Sequence, residues 1–172
     1  MLEKILVALD HSLQAAAVFD FAVKIAQPEQ SKMLLVHFID WQMQDVSPWV
    51  GAATLYDINI SSNRYDWSSE ALEHELTQSK IWLENYRQKA IALKIDCQAE
   101  CHTGKCSTGI SDRAQAWGAD VIVIGRRGRR NVSEILLGSV SNHVVHHAPC
   151  SVLVVQKTYA SSDECSTIDH DS

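Results

Sequence analysis

The stretch "ADVIVIGRRGRRNVSEILLGS", residues 119–139, joins a short apolar run to a loop rich in glycine and arginine. The run "VIVI" is β-branched throughout and short, which is typical of a buried strand. Three glycines and four arginines follow within residues 124–139, although the net charge of the chain is −6. A loop that gathers arginines around glycines at the end of a buried strand, in an acidic protein, is expected to bind an anion.

Further runs place this strand in a sheet. Besides 120–125, apolar runs predict strands at 4–10, 32–40 and 151–156, and a weaker run at 94–101, which alternates apolar and polar residues, predicts a fifth. Helical patterns separate them, at 12–26, 67–93, 107–117 and 139–147. Strands that alternate with helices need crossover connections, and nearly continuous apolar strands need cover on both faces. The sequence therefore predicts an α/β fold, an open five-stranded parallel sheet with helices on both faces.

The length and composition indicate one domain. The chain has 172 residues, of which 46% are hydrophobic and 21% charged, as in ordinary globular proteins. We assign residues 1–157 to the domain and expect the polar, acidic residues 158–172 to form a disordered tail. Within the domain, residues 41–66 show no clear period and are predicted to be a long insertion or loop.

Several classes of protein are disfavoured by the same data. Glu3 and Lys4 interrupt the first apolar run, which is untypical of a signal peptide or a membrane helix. The net negative charge argues against a nucleic-acid partner, because phosphates require a basic surface. The five cysteines are an odd number without a secretory feature, which favours reduced thiols. We therefore expect a cytoplasmic protein with neither a membrane nor a nucleic-acid partner.

The glycines of the loop fall in the spacing G-x2-G-x9-G-S, formed by Gly125, Gly128, Gly138 and Ser139. Glycine lets a ligand approach backbone amides without a Cβ in the way. A helix that begins at Gly138, with Ser139 as its cap, would offer the free amides of its first turn to a phosphate. Arg127 is the arginine expected to reach the ligand. The alternative is an ordinary strand-to-helix loop with solvated arginines.

On these residues the chain resembles the nucleotide-binding members of the universal stress protein family. The resemblance extends to "LLGSVSNHVVHHAPCSVLVV" (136–155), "ILVALDHS" (5–12) and "LVHFID" (35–40). It implies a Rossmann-like sheet with strand order 3-2-1-4-5, which creates a crevice between strands one and four where ligands bind. It also implies a regulatory stress-response module that binds ATP, ADP or AMP, with or without Mg²⁺.

Carried over to this chain, the resemblance implies a set of nucleotide-binding residues. Ala8, Leu9 and Asp10 would line the ribose and adenine side, and Phe38, where the family commonly has valine, would offer its backbone to adenine. The phosphates would be surrounded by Ile124, Gly125, Arg127, Gly128, Gly138, Ser139, Val140 and Ser141. For Asp10 the alternative is a cap of the helix at 12–26.

The sequence leaves the question of catalysis open, and we assign no catalytic residue. Asp10 is the one carboxylate that the motifs place firmly near the phosphates, with Glu134 a distant second, so binding without efficient turnover is the favoured interpretation. A slow ATPase or adenylyl-transferring enzyme and a nucleotide-independent dimeric scaffold are the alternatives. The apolar run at 151–156 is expected to be an edge strand, and it predicts a homodimer that pairs two such edges.

We predict no metal site. Cys97, Cys101 and Cys106, with His102, lack the C-x2-C spacing of structural zinc sites. A redox role for Cys106 or Cys165 is an alternative that requires a lowered thiol pKa. The histidines of the last helix, at 143, 146 and 147, are spaced for a metal but also for favourable interaction with the helix dipole.

Overall fold

The computed structural model describes residues 2–40, 69–126 and 137–156. Across these ranges strands alternate with helices, as follows: β1 (Lys4–Ala8), α1 (Ala15–Ile25), β2 (Lys32–Ile39), α2 (Ser69–Ala92), β3 (Asp96–Thr103), α3 (Cys106–Trp117), β4 (Val121–Gly125), α4 (Ser139–His147) and β5 (Ser151–Val155). All neighbouring strands are parallel and their order is β3-β2-β1-β4-β5. The predicted fold class and strand order are confirmed.

Alternate residues of the strands form two separate hydrophobic layers, one on each face of the sheet. On one face, Ile5 and Val7 of β1 pack with Phe19 of α1 and Leu83 of α2. On the other face, Leu6 packs with residues of α3 and α4. The central strands are buried on both sides, which explains why their sequences are almost continuously apolar.

The first helix begins three residues later than predicted, at Ala15. The Ser12 N–H donates to Asp10 Oδ1 at 3.2 Å, and the Gln14 N–H donates to Ser12 Oγ at 3.3 Å. These bonds form turns that satisfy the backbone before the helix starts. Asp10 therefore closes the turn that follows β1 and is not the cap of α1.

The second helix buries most of the apolar face that its sequence predicts, including Leu83 and Ala90, but two apolar residues of the pattern stay exposed. Ile81 is 56% exposed, and Leu93, which lies beyond the helix end, is 49% exposed. Ser79 is instead fully buried, and Trp82 packs against the hydrophobic layer. The polar Ser79 is accommodated because a histidine side chain lies opposite it, as described below.

The amino-terminal side of the sheet is fastened by Asp120. Its Oδ2 accepts hydrogen bonds from the N–H groups of Glu3 (2.9 Å) and Lys4 (2.8 Å). The hydrogen bond from Lys4, followed by that from Glu3, lowers the pKa of Asp120. The two bonds fix the register in which Ile5 lies beside Val121.

Within the described ranges, none of the helices has the length and hydrophobicity needed to span a membrane.

Candidate functional site

The site lies where β1 and β4 end side by side. Ala8 of β1 is paired with Ile124 of β4, and the chain then continues into Leu9 and Asp10 on one side and into Gly125 on the other. The next strand beyond β1 is β2, on one side of this pair, and the next strand beyond β4 is β5, on the other side. Such a switch point forms a crevice at the carboxyl ends of the strands, which is where open α/β sheets bind ligands.

The start of α4 is tied directly to the end of β4. The Gly138 N–H donates to the Arg126 carbonyl at 2.9 Å, and the Ser141 hydroxyl donates to the same carbonyl at 2.8 Å. The Ser141 hydroxyl also lies 3.0 Å from the Gly138 carbonyl, and its residue is buried. The role of Ser141 in this structure is thus to fasten α4 beside the crevice.

Gly138 is the cap residue of α4, and Ser139 is its first helical residue, which corrects the prediction that Ser139 is the cap. The first helical bond runs from the Asn142 N–H to the Gly138 carbonyl, at 2.8 Å. The N–H groups of residues 139–141 consequently point out of the helix end. Gly138 has φ −60° and ψ 157°, which any residue adopts, so the lack of a Cβ is what distinguishes glycine there.

Phe38 directs its ring away from the crevice. The ring stacks on His102, with centroids 5.1 Å apart, and fills the space beside Gly109 of α3. The Leu9 N–H donates to the Val36 carbonyl, so the backbone of Val36 faces β1. Alternate residues of a strand direct their backbone groups to the same neighbour, so the backbone of Phe38, two residues after Val36, also points to the β1 side. It lies beyond the pair Ala8 and Val36, which is the last of the ladder between the two strands. The ring of Phe38, which is larger than a valine side chain, therefore packs against His102 and α3, while the Phe38 carbonyl accepts a weak hydrogen bond from the Cys106 thiol at 3.5 Å.

Two histidines that the sequence prediction missed lie directly behind Asp10. His37 is buried and its Nδ1 lies 2.8 Å from the Leu9 carbonyl, while His11 Nε2 lies 3.2 Å from Ser79 Oγ. Burial is the main reason why the pKa of His37 is lowered. The available signal was a single histidine at a core position of an otherwise apolar strand.

Two predicted phosphate contacts, Arg127 and Gly128, lie outside the described residues. The structure describes the other predicted residues, and the strand ends and the start of α4 bring them to one edge of the sheet. They are Ala8, Leu9, Asp10, Phe38, Ile124, Gly125, Gly138, Ser139, Val140 and Ser141.

The cysteines and histidines outside the crevice form no group of three metal-ligand side chains within the described ranges. Burial raises the pKa of Cys97 to about 12 and also raises that of Cys101, so both are thiols at neutral pH. On α4, the rings of His143 and His147 stack with centroids 4.0 Å apart, and His147 Nδ1 donates to the His143 carbonyl at 2.9 Å. Cys165 lies outside the described residues.

Comparison with known proteins indicates a single family. The model of the universal stress protein family matches residues 1–156. The chain is 36% identical over 156 residues to universal stress protein Sll1388 of Synechocystis sp., an alignment that covers 89% of this chain and 97% of the relative.

Solved structures with the same fold include universal stress protein UspA from Lactobacillus plantarum. It is 28% identical, with a TM-score of 0.69, and the match covers 90% of this chain and 97% of that chain. A universal stress protein in complex with cAMP matches at 18% identity with a TM-score of 0.62, over 91% of this chain and 98% of its own. A family member from Arabidopsis thaliana with AMP bound matches at 18% identity with a TM-score of 0.58, over 95% and 97%.

Proposed function

We propose that this chain, which belongs to the universal stress protein family, binds an adenine nucleotide in the crevice between β1 and β4 and acts as a regulatory module. The observation that carries the proposal is the placement of the α4 N-terminus, bonded through Gly138 to the end of β4, beside the turn that holds Asp10 at the end of β1. Family members of the same fold bind cAMP or AMP.

Asp10 is suited to the ribose. One carboxylate oxygen accepts the Ser12 N–H, which orients the group. A carboxylate has about four acceptor positions in all, so it retains acceptors for the ribose hydroxyls. We expect Ala8 and the backbone of Leu9 to line the adjoining wall, and the backbone of Phe38 to meet the polar edge of adenine. The residues of this half of the crevice thus fit a nucleoside.

The other half is suited to phosphates. The outward N–H groups at the start of α4, from Ser139 and Val140 onwards, combine with the helix dipole to favour an anion. Gly125, Gly128 and Gly138 would let phosphates approach the backbone, and Arg127 would add positive charge. The arginines at 126, 127, 129 and 130 favour a triphosphate over AMP, so we propose ATP as the preferred ligand, with or without Mg²⁺.

We also propose that the protein is a homodimer through β5. The strand order places β5 at an edge of the sheet, and its residues 152–155 are all apolar. Antiparallel pairing with the same strand of a second copy would satisfy the outward backbone groups and cover these side chains.

The test of the site uses one chemical change at two positions. Gly138→Asp introduces a favourable helix cap residue but places a negative charge where the phosphates would lie. We expect it to weaken ATP and AMP binding, measured by calorimetry, by at least about a hundredfold, because like charges in a shared site repel strongly. Gly128→Val, which blocks backbone approach in the loop, should also abolish binding.

Gly118→Asp is the matched control. Gly118 ends α3 and lies near the amino-terminal ends of the strands, away from the crevice. Its φ of 71° is a conformation that aspartate tolerates better than most residues. It should lower the melting temperature but leave the nucleotide affinity unchanged. If Gly138→Asp binds ATP as tightly as the wild type, the crevice is not the site. Mass spectrometry of small molecules released from the purified protein identifies the nucleotide.

A further inference from the structure

We propose that His37 and His11 are positioning residues that clamp the Asp10 turn from both sides and make nucleotide affinity fall at acid pH. The inference rests on the proposed function, since Asp10 is the residue that would contact the ribose. It goes further in naming what holds that residue in place and what would release it.

The first half of the clamp acts on the residue before Asp10. The Leu9 N–H donates to the Val36 carbonyl at 3.0 Å, and the Leu9 carbonyl lies 2.8 Å from His37 Nδ1. A carbonyl oxygen only accepts, so Nδ1 carries the proton in this contact. Leu9 is thereby fixed at both its backbone groups, one by the strand and the other by a buried side chain.

The second half acts on the residue after Asp10. His11 Nε2 lies 3.2 Å from Ser79 Oγ, and Ser79 is fully buried in the face that α2 presents to the sheet. Both histidine rings contact Trp82, with centroid distances of 4.2 Å for His11 and 5.5 Å for His37. The two rings also meet edge to face at 4.8 Å. Helix α2 therefore holds the turn through a connected polar and aromatic cluster.

The charge of His37 decides whether the clamp is stable. From the turn, Asp10 and His11 face it, and from α2 Glu75 faces it, while in β3 its register neighbour is the thiol of Cys101. Burial outweighs the hydrogen bond to the Leu9 carbonyl and the two carboxylates, and lowers the pKa of His37 below 6.5, so the ring is neutral at neutral pH. Protonation would bury a cation beside His11, and the cost of removing that charge from water favours expulsion of the ring and loss of its bond to Leu9.

The sign of the pH dependence follows from linkage. A histidine whose pKa is lower in the folded state leaves the folded protein fully stable above about pH 6.5 and destabilises it as the pH falls below that value. The clamp is thus intact at neutral pH and weakens below about pH 6.5.

The experiment measures AMP affinity by calorimetry from about pH 8 to about pH 5.5, on the wild type, His37→Asn and His37→Leu. Asparagine retains an N–H that can reach the Leu9 carbonyl but does not titrate, and leucine removes the donor. We expect His37→Leu to bind about tenfold more weakly than the wild type at pH 8, since it leaves the Leu9 carbonyl without this donor. We expect His37→Asn to retain the affinity at that pH.

On acidification, the wild type should lose about tenfold more affinity than His37→Asn, which serves as the baseline for titration of the AMP phosphate itself. Equal acid sensitivity of the two proteins, or wild-type affinity in His37→Leu, would overturn the clamp. If the wild type binds neither AMP nor ATP at any pH, the proposed function fails instead.

Two further measurements guard against a variant that fails to fold. Ser79→Ala releases only the His11 side of the clamp and is expected to weaken AMP binding by about threefold. In the wild type, ¹⁵N spectra of the imidazoles should show His37 protonated at Nδ1, with resonances that shift when AMP binds. An Nε2-protonated His37, or unchanged resonances in the AMP-saturated protein, would contradict the clamp.

Discussion

The two edge strands of the sheet, β3 and β5, differ in how they meet solvent. β3 is eight residues long and carries charged and polar side chains, whereas β5 has five residues, four of them apolar in succession. An exposed strand edge invites pairing with another chain unless charges or cover prevent it. The difference indicates that charges protect the β3 edge, whereas the β5 edge has no such protection, which is the basis of the proposed dimer.

On the β3 edge, Glu100 is the centre of an ion-pair group. Nε and Nη2 of Arg113 donate to its two oxygens at 2.6 Å each, and His102 Nε2 lies 2.9 Å from Oε2. This bidentate arrangement couples β3 to α3 and lowers the pKa of Glu100 to about 2. Charges fixed in this way disfavour the addition of another strand.

On the β5 edge, the backbone orientation can be assigned residue by residue. The Val155 carbonyl accepts the Arg126 N–H at 3.0 Å, so the backbone of Val155 faces β4. Because successive residues alternate, the N–H and C=O of Val154 point outward, away from the sheet. A second strand would bond to these outward groups.

The largest expected effect is therefore on assembly. Val154→Pro removes an outward N–H while leaving the ladder to β4 intact, and we expect it to convert a dimer into monomers. Light scattering at tens of micromolar measures the change. Leu153→Pro is the control, because it removes a donor to β4 and should lower stability as well as association. A wild-type monomer at these concentrations would rule out the proposed dimer.

A smaller effect is expected on the β3 edge. Glu100→Gln removes the charge that Arg113 and His102 bind, and should lower the free energy of unfolding by about 1–2 kcal/mol at pH 7. Since the pKa of Glu100 falls from 4.5 to about 2 on folding, its contribution is present above pH 4.5 and is lost as the pH falls towards 2. Urea unfolding at both ends of this range measures it.

The Glu100→Gln variant should accordingly lose less stability than the wild type between pH 4.5 and pH 2. It should remain in the same oligomeric state as the wild type, because β3 is not the proposed interface. Identical acid unfolding of the two proteins would show that the ion pair does not stabilise this edge.

The smallest effect concerns the helix that covers the β3 side. A Cβ at Gly109 would overlap the ring of Phe38, so Gly109→Ala should cost about 1–3 kcal/mol in packing against a gain of about 1 kcal/mol in helix propensity. We expect a net loss of about 1 kcal/mol in thermal or urea unfolding. Adding Phe38→Val should remove the overlap and recover most of it. A Gly109→Ala protein more stable than the wild type would contradict this packing.

The sequence allowed the strands to be predicted because burial on both faces leaves a local signature, the continuous apolar run. The first residue of a helix was harder to predict, because turn bonds can delay it. The turn bonds of Asp10 and Ser12 delay α1 to Ala15, although the apolar period already suggests a helix at 12. Ile81 belongs to the apolar pattern of α2 yet is 56% exposed, whereas the polar Ser79 is buried opposite His11, a contact that apolar spacing cannot reveal.

For the site, the motif residues at the strand ends could be placed because a parallel sheet brings carboxyl ends to one edge. The contacts of His37 and His11 could not be predicted, because they join residues far apart in sequence and depend on how α2 lies over the sheet. The direction of the Phe38 ring likewise depended on Gly109, which no local pattern connects with it.

The position of β1 at the centre of the sheet has a consequence for synthesis on the ribosome. β1 is made first, and β2 can pair with it early, but its other neighbour is β4, which follows Asp120, a residue 116 positions beyond Lys4. Contacts between such distant segments form late and slow folding. Until β4 emerges, Ile5, Leu6 and Val7 belong to an open apolar edge, so each nascent chain passes through a stage that is prone to aggregation.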